Sequence, residues 1–149
     1  MVVRISSEIE INRSPAEVRA VFLNFDDWRS WLTTGLTLKP RDKSKPGADL
    51  KPGDQLRGNF RGTAIKPKVL ENTPSKFEWR GKVGKVLVIG HRRFYFHDSE
   101  KTPGWTRLVQ SEDISGWLAF MFKKDSGGQG KIARDAMTKF NEEIKTRAE

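Results

Sequence analysis

The sequence predicts an α+β fold: a curved antiparallel sheet of about six to seven strands wrapped around a long C-terminal helix, with two short helices after the first strand. Three observations carry this expectation. Between Gln129 and Arg147 apolar residues recur as Ile132, Ala133, Ala136, Met137, Phe140 and Ile144, the i, i+3, i+4, i+7 spacing of one helical face. Val3, Ile5, Ile9 and Ile11 alternate with Arg4, Ser6, Glu8 and Glu10, the period of a half-buried strand. Most of the chain between them reads as strands. A helix of about 19 residues is roughly 28 Å long at about 1.5 Å per residue, and it must bury its stripe against that sheet.

The elements follow in order. Ser14-Pro15-Ala16-Glu17 opens the first helix, with Ser14 as cap, Pro15 at the first helical position and Glu17 completing a capping box. Val18, Val21, Phe22 and Phe25 supply its buried stripe. Asp26 or Asp27 caps a second short helix carrying Trp28, Trp31 and Leu32, closed by Gly35. Leu36 to Pro40 is a short strand, and Arg41 to Gly53, with Pro46, Gly47, Pro52 and Gly53, is a loop inside a single domain of residues 1–149. Gln55–Phe60 and Thr63–Glu71 are strands, the second at an edge or bulged because Pro67 cannot donate to a central ladder. Asn72 to Ser75 turns into the strand Lys76–Lys82, and Gly84-Lys85 is a tight hairpin turn. Lys85–His97 is the strongest strand, Asp98–Gly104 its turn, and Trp105–Ile114 returns antiparallel. Gly116–Phe122 is apolar, and Ser126-Gly127-Gly128 loosens the chain before the last helix.

Composition narrows the function classes. The 149 residues suit one domain with one core. Cysteine is absent, which excludes disulfides, thiolate metal sites and a cysteine nucleophile. Met1 to Ile11 lacks the apolar run of a secretory signal, and a cytoplasmic location is expected. The longest apolar runs, Val86–Ile89 and Trp117–Phe122, are far too short for a transmembrane segment. The net charge of +9 attracts anionic surfaces. Its cations are spread along the chain without a zinc-finger spacing or an RNA-binding aromatic motif, so no specific nucleic-acid partner is expected. Gly127-Gly128-Gln129-Gly130 precedes a helix but lacks the Gly-Lys-Ser/Thr ending of a phosphate loop, and is read as a flexible cavity rim.

Several local motifs, in this order, resemble one family along essentially the whole chain. They are Ser14-Pro15-Ala16-Glu17-Val18, Phe25-Asp26-Asp27-Trp28 with Trp31, Phe77-Glu78-Trp79-Arg80-Gly81 and Gly90-His91-Arg92-Arg93-Phe94-Tyr95-Phe96. Gly104 and Thr106 leading to Glu112 and Gly116, and the ending Phe140-Asn141-Glu142-Glu143-Ile144-Lys145, complete the set. The chain is similar to the START and birch-pollen-allergen (SRPBCC) superfamily, and within it to small polyketide cyclase/dehydrase-like proteins. That resemblance implies a helix-grip fold with a cavity between sheet and helix that takes an apolar ligand. Lipid carriers, hormone receptors, aromatase/cyclases and chaperone activators share this fold, so the site must be argued separately.

Strand alternation selects the residues facing the cavity. Arg92, Phe94 and Phe96 point inward, and His91, Arg93, Tyr95 and His97 outward. Thr106, Leu108, Gln110, Glu112 and Ile114 share one face of the returning strand. With the turn centred near Lys101, Arg92 is expected opposite Gln110 and diagonal to Glu112. Arg92 and Glu112 are therefore the candidate catalytic pair, an oxyanion holder and a proton acceptor, or else a structural ion pair at the cavity mouth. Relatives commonly carry His at the Arg92 position, and Arg there favours recognition of an anion over general-base chemistry. The wider expected lining comprises Phe22, Trp28, Trp31, Phe60, Trp79, Phe94, Phe96, Leu108, Gln110, Ala133, Met137 and Phe140; Gln110 is its further polar candidate, Trp28 and Trp31 either gate the mouth or pack as core, and Phe22, Phe60 and Trp79 are core residues first and pocket wall second. His91 and His97 lie six residues apart, about 20 Å along a strand. They cannot share a metal, and neither a metal nor a cofactor is expected.

The first expectation is a protein that binds a small hydrophobic or amphipathic molecule in an internal cavity. The second is a polyketide cyclase/dehydratase-like enzyme acting on such a molecule through Glu112 and Arg92. The third is a protein-interaction module resembling the chaperone activators. The oligomeric state, monomer or dimer, is left open.

Overall fold

The computed structural model describes residues 1–83, 88–123 and 128–149. The expected Gly84-Lys85 turn, the start of the strand from Lys85 and the Ser126-Gly127 hinge fall outside the described residues.

Strand β1 (Val3–Ile11) leads into helix α1 (Pro15–Leu23), a 3-10 turn (Phe25–Asp27) and the single-turn helix α2 (Trp28–Trp31). Strands β2 (Leu36–Pro40), β3 (Leu56–Phe60), β4 (Thr63–Ile65) and β5 (Lys68–Thr73) follow. Then come β6 (Lys76–Val83), β7 (Val88–Asp98), β8 (Thr106–Ser115), a 3-10 turn (Ala119–Phe122) and helix α3 (Gln129–Ala148). Five strands form one antiparallel sheet in the order β1-β8-β7-β6-β5, and β2-β3-β4 form a second ladder. The ladders meet where Gln55 bridges Lys68 and Leu56 N–H donates to Pro67 O at 2.8 Å.

The strand count is eight where six to seven were expected, because the single strand read over Thr63–Glu71 breaks at Pro67 into β4 and β5. Without an N–H, Pro67 cannot continue a ladder, yet its carbonyl still ties the two pieces together. The capping box opens α1 as expected, with Glu17 N–H donating to Ser14 Oγ and Ser14 N–H to Glu17 Oε2. The cap expected for the second helix is absent. Asp27 precedes α2 but makes no cap bond; its carboxylate accepts from Ser30 Oγ at 2.8 Å and from Arg147 Nε at 3.0 Å. Gly35 does not close α2, which ends at Trp31; its positive φ of 87° instead opens β2.

Helix α3 lies across the concave face with Met137, Phe140 and Ile144 buried, whereas Ile132 of the expected stripe is 40% exposed. A polar chain fixes its middle to the sheet: Gln110 Nε2 donates to Asn141 Oδ1 at 2.6 Å, and Asn141 Nδ2 donates to Ser7 Oγ at 3.2 Å. Its far end is held where Lys145 Nζ donates to Glu10 O and Glu149 accepts from Asn12 N–H. On one side of this chain the core is aromatic. The Phe22 ring lies 4.5–6.4 Å, centroid to centroid, from Phe25, Trp28, Phe77, Phe94, Phe96 and Phe140. Trp28 satisfies its indole N–H on Phe22 O at 2.8 Å. A smaller cluster of Ile5, Ile114, Ala119 and Met137 lies beneath the other half.

Candidate ligand cavity

The site grows from the pairing of β7 with β8. Arg92 lies directly opposite Glu112, and Phe94 opposite Gln110, so the expected pairing of Arg92 with Gln110 is corrected by two residues. The connection between the strands centres on Thr102, not Lys101: Ser99 Oγ accepts from the N–H of both Lys101 and Thr102, and Gly104 turns with φ of 84°. A two-residue slip preserves which face each side chain occupies. Arg92, Phe94 and Phe96 therefore still share the concave face with Leu108, Gln110 and Glu112.

Arg92 reaches across to Glu112 with two hydrogen bonds, Nε at 2.9 Å and Nη2 at 2.7 Å, and both end on Oε2. Its guanidinium carbon stands 6.0 Å from the ring centre of Trp79, its register partner on β6. The pair is mostly withdrawn from water, at 13% and 18% side-chain exposure. That arrangement combines a charge-assisted pair with cation–π stacking. Within the described residues no hydrogen bond reaches Glu112 Oε1. This oxygen lies over Gly90, where a Cβ would stand 2.5 Å from it. Glycine at 90 thus makes the room in which the carboxylate rests.

Arg92 and Glu112 form part of the wall of a cavity of about 140 Å³ between sheet and helix. Leu36, Phe60, Ile65 and Pro67 line it from the β2–β5 region, and Trp79, Val83 and Val88 from β6 and β7. Ile114 and Phe122 close its floor, and Ala133 and Ala136 present the small side chains of α3. Of the expected lining, Phe60, Trp79, Arg92, Glu112 and Ala133 come together here. Phe22, Trp28, Phe94, Phe96, Leu108 and Phe140 are placed in the aromatic core, Met137 in the smaller cluster, and Gln110 in the polar chain to Asn141. Trp31 packs on the outer side of Phe140 at 5.7 Å, next to Glu142 and Glu143.

Gly90, Ala136 and Phe122 were missed by the sequence reading. The first carried a signal, being in phase with Arg92 on β7. Ala136 shares the α3 stripe with Ala133, but its small size, which leaves space, reads in sequence as ordinary core. Phe122 belongs to the turn after β8, for which strand alternation predicts nothing.

The other sites are of different character. His91 and His97 lie on the convex face, where His97 stacks on Tyr95 at 5.3 Å. Among the described residues no cluster of His, Asp or Glu is arranged to hold a metal. A wider cleft of about 690 Å³ between α1 and residues 39–48 is open and basic, lined by Arg19, Lys39, Lys43 and Lys45. Within it Lys45 is paired with Asp54 at 2.8 Å and Arg19 donates to Asn72.

Residues 2–149 match the family described as polyketide cyclase / dehydrase and lipid transport. The chain belongs to that family. Among solved structures, a hypothetical protein, jhp0584, from Helicobacter pylori aligns with a TM-score of 0.79 at 12% identity, covering 99% of this chain and 88% of that one. A START superfamily protein from Mycobacterium smegmatis aligns at 0.64 with 15% identity, covering 97% and 96%. The Ara h 8.0201 structure aligns at 0.67 with 11% identity, covering 99% and 98%. At these identities the structural matches show the fold, the helix grip expected from the sequence. A comparison with curated proteins found no match. No helix among the described residues is long and apolar enough to cross a membrane.

Proposed function

We propose that this polyketide cyclase/dehydrase family member binds a small amphipathic molecule in the cavity between β6–β8 and α3. One observation carries the reading: Glu112 Oε1, which accepts no hydrogen bond among the described residues, belongs to an ion pair in the wall of a space whose other lining is apolar except for Lys82. Recognition sites are built this way, with apolar walls for affinity and a few polar groups for orientation. The volume, about 140 Å³, is close to that of a cavity known to admit benzene, about 150 Å³. The ligand class is therefore one ring or a short branched chain bearing a hydroxyl or amine that donates to Glu112 Oε1. Arg92 orients that carboxylate and offers its remaining N–H groups to an acceptor on the ligand. A cytoplasmic setting, suggested by the absence of cysteine, is part of this reading.

The test is native mass spectrometry of gently purified protein, followed by calorimetric titration with single-ring phenols, aromatic amines and their apolar parents. Phenols or amines are expected to bind at least about ten-fold more tightly than the parent hydrocarbon, a difference of about 1.4 kcal/mol. Ala136→Phe, which fills the space without touching the ion pair, is expected to abolish binding. Equal affinity for phenol and hydrocarbon, or binding that survives Ala136→Phe, would remove this reading.

The same free oxygen favours a second reading, a cyclase or dehydratase with Glu112 as proton acceptor and Arg92 beside the developing oxyanion. Glu112→Gln separates the two. It would abolish turnover of a bound polyketide-like substrate under the second reading and only weaken affinity under the first.

A further inference from the structure

Among the described residues six large hydrophobic side chains are exposed: Met1 (67%), Val2 (64%), Val83 (43%), Trp117 (81%), Phe120 (49%) and Ile132 (40%). All six lie at one end of the molecule. Val83 pairs with Val88 at the outer end of β6–β7. Val3 pairs with Ile114 at the end of β8, so Met1 and Val2 run out beyond it towards the segment that carries Trp117. Ile132 sits in the first turns of α3, which begins against the 3-10 turn, the Phe122 carbonyl lying where a Cβ at Gly130 would stand. The opposite end, where β1 finishes and α3 stops, exposes no large hydrophobic side chain among the described residues. Single exposed apolar residues need no explanation, but six gathered at one end do.

The turn after β8 is built to hold this arrangement. Successive i→i+3 bonds, Ala119 N–H to Gly116 O, Met121 N–H to Leu118 O and Lys123 N–H to Phe120 O, give it threefold periodicity. Ala119 and Phe122 share the inward side, Ala119 fully buried and Phe122 on the cavity wall. Trp117, Phe120 and Lys123 share the outward side, and all three are exposed. An indole, a phenyl ring and an ammonium on one face match a water–lipid boundary, where the rings enter the acyl region and the cation meets headgroup phosphates. Lys82 stands exposed beside Val83, and the chain carries a net charge of +9.

We propose that this end docks on an anionic lipid bilayer, with Trp117 and Phe120 inserted and Lys123 and Lys82 at the headgroups. The part of the cavity wall that Val83, Val88 and Phe122 form would then lie towards the membrane. The docking goes beyond the ligand reading and does not depend on it, because vesicle binding is measured without a ligand.

The experiment is co-sedimentation of the full chain with vesicles of phosphatidylcholine, alone or at two parts to one part phosphatidylglycerol. The wild type is expected to sediment with the anionic vesicles and, at most weakly, with the neutral ones, and to be released by added salt. Trp117→Ser with Phe120→Ser is expected to weaken anionic binding about ten-fold or more. Both side chains are exposed, so the melting temperature should be unchanged. Lys123→Gln is expected to weaken anionic binding by about five-fold, in line with one headgroup cation removed. Three outcomes overturn the proposal. The wild type fails to sediment with either vesicle; the double serine variant binds as well as the wild type, leaving only diffuse charge; or light scattering shows a dimer that the double variant dissociates, making a second copy the occupant.

Discussion

Where β1 ends and α3 stops, Phe22 contacts six other aromatic rings and is fully buried. Where α3 begins, the helix offers Ala133 and Ala136 to a cavity, and Trp117 is 81% exposed. The same sheet and helix serve both ends, and the polar chain from Gln110 through Asn141 to Ser7 lies between them. The difference comes from what covers the gap. Residues 15–31 form α1 and α2 over the aromatic end and drive rings between sheet and helix. At the cavity end only the short turn of Ala119–Phe122 takes that place among the described residues. Packing is dense at one end, and the other keeps the space in which a ligand is proposed to bind.

Substitutions can break or sharpen this contrast. The largest effect is expected at the packed end: Phe22→Ala should cost about 3–5 kcal/mol and lower the melting temperature by about 10 °C or more in a thermal scan. At the cavity end, Arg92→Ala removes the partner of a mostly buried carboxylate and should cost about 2–3 kcal/mol. Replacing both members, Arg92→Met with Glu112→Leu, should recover most of that loss in denaturant titrations, because no uncompensated charge remains. A double variant as unstable as Arg92→Ala would mean that the pair is worth more to the fold than the cavity reading allows.

A smaller effect is expected from acid. On the convex face Asp113 is held by Arg4 at 2.6 Å and Arg93 at 3.0 Å. The hydrogen bond from Arg4, ahead of that from Arg93, draws its carboxyl down to about 2. A carboxyl lowered on folding binds its proton more readily in the unfolded chain. Its contribution is therefore complete above the ordinary aspartate range, near 3.8, and fades as the pH falls towards about 2. With Arg4 largely in water, the loss should be about 1 kcal/mol, measured as the difference between wild type and Asp113→Asn in urea titrations at pH values above and below this window. The smallest effect is expected at the exposed rim, where Trp117→Ser should change stability by no more than about 0.5 kcal/mol.

Much of the fold was legible because its signals are local. The capping box at Ser14, the alternation of β1 and the stripe of α3 each need only a few neighbouring residues. The face occupied by Arg92 and Glu112 was legible for the same reason. Their direct pairing was not, since it depends on where the Ser99–Trp105 connection turns, and that is set by Ser99 Oγ and Gly104 together. Nor does alternation tell a wall from a core: Phe94 and Arg92 have the same phase, yet one meets Phe22 and the other a cavity. Only the position of α1, a long-range matter, separates them. Ile132 fitted the helical stripe and still emerged exposed, because at about 3.6 residues per turn it lies at the margin of that stripe, roughly a quarter turn from its centre.

Gly90 has a consequence for mutational scanning. Alanine is ordinarily a subtraction, and a scan interprets its effects as contacts removed. At this position alanine is an addition: one methyl group placed where Glu112 Oε1 now rests must push the carboxylate away or be pushed itself. Gly90→Ala would thus reorient the acid while every polar atom of the site is retained. A loss of binding in that variant would report on displaced geometry, with the chemical inventory of the pocket intact.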